Sequence, residues 1–163
     1  MRFYRQLLLP VLFAFTNAIA ANGSTYLELA ESNAVAIQTE SAEYRFCTEV
    51  VIRLAALRRG LKNRHHLDRD DSMLFLFDPP RQVQFWMKDT YIPLDMLFIG
   101  PDGRIVAIAE RTQPHSLEPV GPVTPVRGVL EINGGLSRKL NIQTGDRIVR
   151  TSGNDCRMTT REE

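Results

Sequence analysis

Between Phe85 and Asp95 the chain reads FWMKDTYIPLD, and it is here that residue types and spacing could do chemistry. Lys88 can hold an anion, Asp89 and Thr90 can accept or donate at a turn, and Asp95 sits in the apolar run LDMLFIG. If Phe85–Asp89 is extended, the period of two puts Trp86 and Lys88 on one face and Phe85, Met87 and Asp89 on the other. Asp95 then shares a face with Leu97 and Ile99, where a half-buried carboxylate needs a cationic or N–H partner. Lys88 is the nearest candidate, and Arg127 and Glu131, which share a face with Val129 in VRGVLEIN, could complete the cluster.

Two chemistries fit these residues. One is a structural ion-pair network of Lys88, Asp95, Arg127 and Glu131 that fixes a sheet corner. The other is a pocket in which Asp95 or Glu131 acts as acid or base, Lys88 holds an anion and Trp86 stacks on a ligand. Paired carboxylates of this kind serve glycoside cleavage when their separation is right. A Gly-x-Ser-x-Gly elbow, which would point to a serine nucleophile, is absent from the sequence. Two cysteines and three scattered histidines do not make a zinc set, so neither a metal nor another cofactor is expected.

These residues must be carried by strands. YRFCTEVVIRL alternates, with Phe46, Thr48 and Val50 on one face and Cys47, Glu49 and Val51 on the other. AALRR favours a helical turn that Gly60 can cap. From Arg53 to Arg69 the chain is basic, which reads as a solvated face ahead of a binding patch, and the acidic residues Glu28, Glu31, Glu40, Glu43 and Glu49 could meet it. MLFLF, QVQFWMKD and LDMLFIG are strand-length apolar runs. The turn GPDGR joins the last of them to RIVAIAE as a hairpin over Asp95–Ile99 and Arg104–Glu110. Pro114, Pro119, Pro122 and Pro125 make the following stretch a stiff extended excursion. GGLSRKLNI predicts a short helix that Asn133 could cap, and Gly134-Gly135 at its start could offer bare N–H groups to an anion or simply make a tight turn. The fold class is therefore mostly β, with α+β possible: a compact small β-barrel or sandwich-like sheet with two short helices.

At the N-terminus, MRFYRQ carries two arginines, LLLPVLFAFT is apolar, and Ala18-Ile19-Ala20 forms a small-residue box. That is the layout of a secretory signal peptide, too short to span a bilayer. Its removal takes away two arginines, leaving 20 − 2 = 18 basic against 19 acidic residues, a net charge of −1. Such a balance calls for neither nucleic acid nor an anionic membrane as partner. In an oxidising compartment Cys47 and Cys156 are expected to bridge. The expected organisation is a signal peptide at 1–20, a lead-in with possible edge strands at 21–43, one β-rich domain at 44–152 and a tail at 153–163.

In order and spacing, SMLFLFD, FWMKDTYIPLDMLFI, DGRIVAI, PVRGVLEINGG and LNIQTGDRIV resemble the bacterial and archaeal family called domain of unknown function 192. The resemblance spans roughly Phe46 to Thr151 and implies a β-rich fold, often behind an export signal, without an established activity. Two departures stand out. Family members usually read Gly-Leu-Met where this chain has Gly60-Leu61-Lys62, and Gly-Met-Leu-Phe where it has Ser72-Met73-Leu74-Phe75. If that methionine helps to line a pocket, Lys62 changes the pocket's shape.

The functional expectation is an exported, soluble binding or accessory protein of the cell envelope. It would be monomeric, without a membrane span in its mature form, and its partner would be an envelope ligand or protein. The alternative is a hydrolase-like enzyme using Asp95 and Glu131 in a pocket lined by Trp86. Trp86, Lys88, Asp89, Thr90, Asp95, Arg127 and Glu131 are the candidate ligand-binding residues. A binding module predicts a Trp-lined apolar groove whose polar groups are paired to one another. An enzyme predicts a carboxylate without a partner facing a cleft, and a purely structural protein predicts no cleft, with Trp86 covered.

Overall fold

A computed structural model describes Tyr26, residues 28–151 and Cys156. The proposed signal peptide lies outside the described residues. Seven strands form one sheet: β1 (Ala34–Gln38), β2 (Glu43–Val51), β3 (Asp71–Arg81), β4 (Leu94–Ile99), β5 (Ile105–Thr112), β6 (Val126–Asn133) and β7 (Arg147–Arg150). Their order across the sheet is β5-β4-β6-β3-β2-β1-β7. Every pairing is antiparallel except β2 with β3, which is parallel and connected through helix α1 (Leu54–Arg59). A second short helix, α2 (Leu136–Lys139), follows β6.

The sheet curls into a half-barrel, and its two edges approach each other. Arg104, just before β5, bridges Arg147 at the start of β7. Three backbone bonds reinforce this seam: Ile105 N–H donates to Asp146 O (2.8 Å), Gly145 N–H to Ile105 O (2.8 Å) and Ile148 N–H to Gly103 O (2.9 Å).

Curling gives the sheet two unequal faces. The enclosed face draws buried side chains from all seven strands, among them Val35, Phe46, Leu74, Leu97, Leu130 and Ile148. On the outer face the main apolar cluster is built from β2, β3, β4 and β6, with Val51, Phe75, Phe98 and Val129 among its members, and loop residues Leu61, Leu67 and Met87 pack against them. Apolar residues on both faces explain the unbroken apolar runs in β3 and β4, since a sheet covered on both sides has no solvated face to alternate with.

The β4–β5 hairpin follows the turn chemistry of its sequence. Gly103 takes φ +81° and donates to Gly100 O, while Asp102 Oδ1 accepts from Arg104 N–H at 3.1 Å. Gly60 caps α1 with φ +52°, its N–H on Ala56 O at 2.9 Å.

Three expectations need correction. QVQFWMKD is not a strand: only Phe85 pairs, as a single bridge to Val120 of the proline-rich excursion. Further bonds from Met87 N–H to Ser116 O and from His115 N–H to Thr90 O hold the two irregular segments side by side, so each satisfies the other without a ladder. The lead-in supplies more than an edge, because β1 lies between β2 and β7, with Ala34–Ile37 fully buried. Nor does Asn133 cap α2. Its side-chain amide donates instead to Leu67 O and Asp68 O, at 3.1 and 2.9 Å.

Cys47 on β2 and Cys156 form a disulfide with a Cα–Cα distance of 5.3 Å and a sequence separation of 109. Among the described residues no helix is long and apolar enough to cross a membrane.

Candidate functional site

Asp95 and Glu131 are both buried, at 0% and 4% exposure, but they do not share a site. In the β4–β6 ladder Asp95 pairs with Ile132, and Met96 pairs with Glu131. Cross-strand partners project to the same side, and neighbours along a strand to opposite sides. Asp95 therefore points to the enclosed face and Glu131 to the outer one. The acid–base pair considered from sequence is not formed, because a sheet separates its two members.

The Asp95 carboxylate is saturated from within. Oδ1 accepts from the backbone N–H of Arg111 and of Gly135, both at 2.7 Å. Oδ2 accepts from Ser137 N–H at 2.8 Å and from Ser137 Oγ at 2.5 Å. Two of these N–H groups belong to the start of α2, whose cap residue Gly135 provides no side chain of its own. A strand residue forty positions upstream thus caps the helix, and it also fixes Arg111, which has a positive φ of 49°. Gly135 is required here. Its φ is +84°, and a Cβ would meet the Arg111 guanidinium at 2.5 Å. The bare N–H expected to attract an anion does so, and the anion is the protein's own.

The expected cationic partners lie elsewhere. Lys88 is exposed and makes no ion pair among the described residues. Arg127 packs its guanidinium 5.6 Å from the centre of the Tyr26 ring and 3.7 Å from Asp78, with its buried Nε lacking a partner among the described residues. It therefore meets neither Asp95 nor Glu131. Asp89 takes φ +59° in an exposed turn, and its carbonyl accepts from Asn63 N–H at 2.8 Å. Thr90 is buried below that turn, its N–H on Met87 O.

Glu131 occupies a different environment. It stands between Met73 of β3 and Met96 of β4, and no group among the described residues hydrogen-bonds its carboxyl. Burial disfavours its charged form and pushes its pKa up from 4.5 to about 8, so the folded protein holds it as a neutral acid at neutral pH. This carboxyl opens into a cavity of about 650 Å³ between the outer face of the sheet, α1 and residues 81–90. Phe75, Phe77, Phe85 and Met87 line its apolar part, and Thr90 also reaches it. Trp86 lies at the edge, 55% exposed, with the Lys62 ammonium 5.9 Å from its ring centre. Arg58, Arg59 and Arg81 line the exposed side.

Of the candidate residues, the structure brings Trp86, Thr90 and Glu131 together in this cavity. Lys88, Asp89, Asp95 and Arg127 are not among its lining residues. The residues that sequence places second are those of the basic run, where a binding patch ranks behind a solvated face. The solvated-face reading holds for Arg64, which ion-pairs with Glu49. Arg58, Arg59 and Lys62 make no such pair among the described residues and turn to the cavity. The departure at Lys62 was the available signal, since the family's methionine position is indeed part of the wall. Among the described residues no group of three or more His, Cys, Asp or Glu could hold a metal ion.

The family model of DUF192 (uncharacterized ACR) matches residues 35–150. Two solved structures are similar. A protein of unknown function from Novosphingobium aromaticivorans is 37% identical, with a TM-score of 0.69; the match covers 71% of this chain and 82% of that one. A putative transcription regulator from Sinorhizobium meliloti is 38% identical, with a TM-score of 0.70, covering 72% of this chain and 92% of that one. Comparison with curated proteins finds no match. The chain belongs to the domain of unknown function 192 family.

Proposed function

We propose that this member of the family is an exported, non-catalytic binding protein of the cell envelope that takes a small ligand into the cavity between α1 and the outer face of the sheet. The observation that carries this reading is the Glu131 carboxyl, buried, with no hydrogen-bond partner among the described residues, and facing a cavity lined by aromatic rings. A buried polar group is normally hydrogen-bonded, and one left open towards a cavity of ligand size is a group kept for something that enters. Trp86 adds to this, being exposed at the rim instead of covered by the proline-rich excursion.

The alternative, a hydrolase-like enzyme, loses its two-carboxylate form. Asp95 accepts four hydrogen bonds on the far side of the sheet, so acid–base chemistry in this cavity would rest on Glu131 alone. Export is supported by the sequence of residues 1–20 and by the Cys47–Cys156 bridge, which an oxidising compartment would maintain. N-terminal sequencing of protein recovered from the periplasm or medium should begin at Ala21, and intact Met1 in the cytosol would remove this part of the proposal.

Trp86 is the sole tryptophan, which makes it a built-in reporter of the cavity. A neutral apolar fluorophore such as N-phenylnaphthylamine should bind the folded protein and accept excitation energy from Trp86. Leu57→Arg, which puts a charged side chain on the cavity wall, should abolish the transfer. A parent protein that gives no transfer at any probe concentration would overturn the binding reading.

A further inference from the structure

The lining of the cavity divides by charge. Its exposed side presents Arg58, Arg59, Lys62 and Arg81, and among the described residues its one acidic member is Glu131. Of these cations, Lys62 lies over Trp86 and Arg81 stands 4.5 Å over the Phe77 ring, while none makes an ion pair among the described residues. A cationic ligand would have to pass four positive charges to reach one carboxyl. An anion meets the reverse situation. Four cations around a low-dielectric cleft raise the local concentration of anions and can hold one at the mouth.

The inner end has to tolerate that anion, and Glu131 does. Held neutral by burial, it adds no negative charge and presents an O–H donor. Between mouth and inner end, Phe75, Phe77 and Phe85 supply apolar surface, with Phe75 and Phe85 packed edge to face at 5.1 Å. Leu54, 61% exposed, extends that surface to the rim.

We propose that the occupant is a small amphiphilic organic anion. Its charged group lies among Arg58, Arg59, Lys62 and Arg81, its apolar body lies against Phe75, Phe77 and Phe85, and an acceptor atom at its inner end takes the Glu131 O–H. This proposal rests on the reading that the cavity binds a ligand, and it assigns the chemical class. A carboxylate, sulfonate or phosphate at the charged end would serve equally, because arginine and lysine recognise all three.

The test compares anilinonaphthalene sulfonate with neutral N-phenylnaphthylamine on the mature, disulfide-bonded protein, each titrated by energy transfer from Trp86. The sulfonate should bind about ten-fold tighter or better at low salt, and the preference should shrink as ionic strength rises. The double variant Arg59→Glu/Lys62→Glu, altering one exposed and one half-buried side chain, should remove that preference, bringing the ratio of the two affinities to about one or below. Near-ultraviolet circular dichroism establishes that the variant keeps its fold. Equal affinity for the two probes, or a sulfonate affinity unmoved by charge reversal, would overturn the anion assignment while leaving the cavity a binding site. Transfer to neither probe would overturn the binding reading beneath it.

Discussion

Asp95 and Glu131 stand one ladder position apart on neighbouring strands, both acidic and both buried, and the protein treats them in opposite ways. On the enclosed face three backbone N–H groups and a hydroxyl converge on Asp95. On the outer face Glu131 has two methionines beside it and a cavity in front. The first carboxylate is where a hairpin, a helix start and a sheet are tied together, so its charge is used up in holding the fold. The second contributes nothing of that kind, and its desolvation opposes folding. Burial alone therefore does not separate a structural acid from a functional one. The direction from which hydrogen bonds arrive does.

The sharpest way to break this contrast is to delete each carboxylate. Asp95→Ala leaves the buried N–H of Ser137 and the part-buried N–H groups of Arg111 and Gly135 without their acceptor, at about 1–3 kcal/mol each, and should cost about 4 kcal/mol in urea melts. Asp95→Asn keeps one acceptor oxygen but turns an NH₂ towards Ser137 N–H, and should cost about half as much. Either variant melting at the parent's midpoint would remove Asp95 from the structural role.

Glu131→Leu should have the opposite sign, raising stability by roughly 2–3 kcal/mol near neutral pH, because an unpaired buried acid is replaced by an apolar chain. Loss of stability would mean that Glu131 has a partner after all. The pH dependence sharpens the point. With a folded pKa of about 8 against an ordinary 4.5, Glu131 keeps its proton in the folded state where the unfolded chain has lost it. Its contribution is full below pH 4.5 and declines as pH rises to about 8, a change on the order of a few kcal/mol. Glu131→Gln, which does not titrate, should remove that slope. A parent and variant with parallel pH profiles would contradict the raised pKa. The smallest effect is expected at the rim: Lys62→Met loses only an exposed cation–π contact and should shift stability by less than about 1 kcal/mol. A larger loss would show the rim to be structural.

How much of this could be read from sequence follows from the range of the interactions. The β4–β5 hairpin and the Gly60 cap were legible because turn and cap chemistry is local, within a few residues. That Asp95 needs a partner is legible too, from a carboxylate sharing a face with Leu97 and Ile99. The identity of that partner was not, because backbone N–H groups carry no residue signature and these come from Arg111, Gly135 and Ser137. Lys88 and Arg127 were favoured because side-chain charges are visible in a sequence and backbone donors are not. The opposite orientation of Asp95 and Glu131 needed the register, which pairs Asp95 with Ile132. The cavity was least legible of all. Its wall joins α1 to the irregular segment that follows Arg81, and neither has a periodicity that would announce the space between them.

The place of β7 bears on the order in which the molecule can be made. Among the described residues it is the last strand, and it pairs with β1, the first. Pairing between opposite ends of a chain is slow to form, since the whole intervening length must be closed into a loop first. Until residues 147–150 have been synthesised, β1 has one side unfilled and the seam at Arg104 has nothing to meet. A nascent chain of this topology stays incomplete until its final segment appears. For the proposed export that order bears on where the fold can be completed, because the strand that forms the seam of the half-barrel is made late and the chain before it cannot yet close.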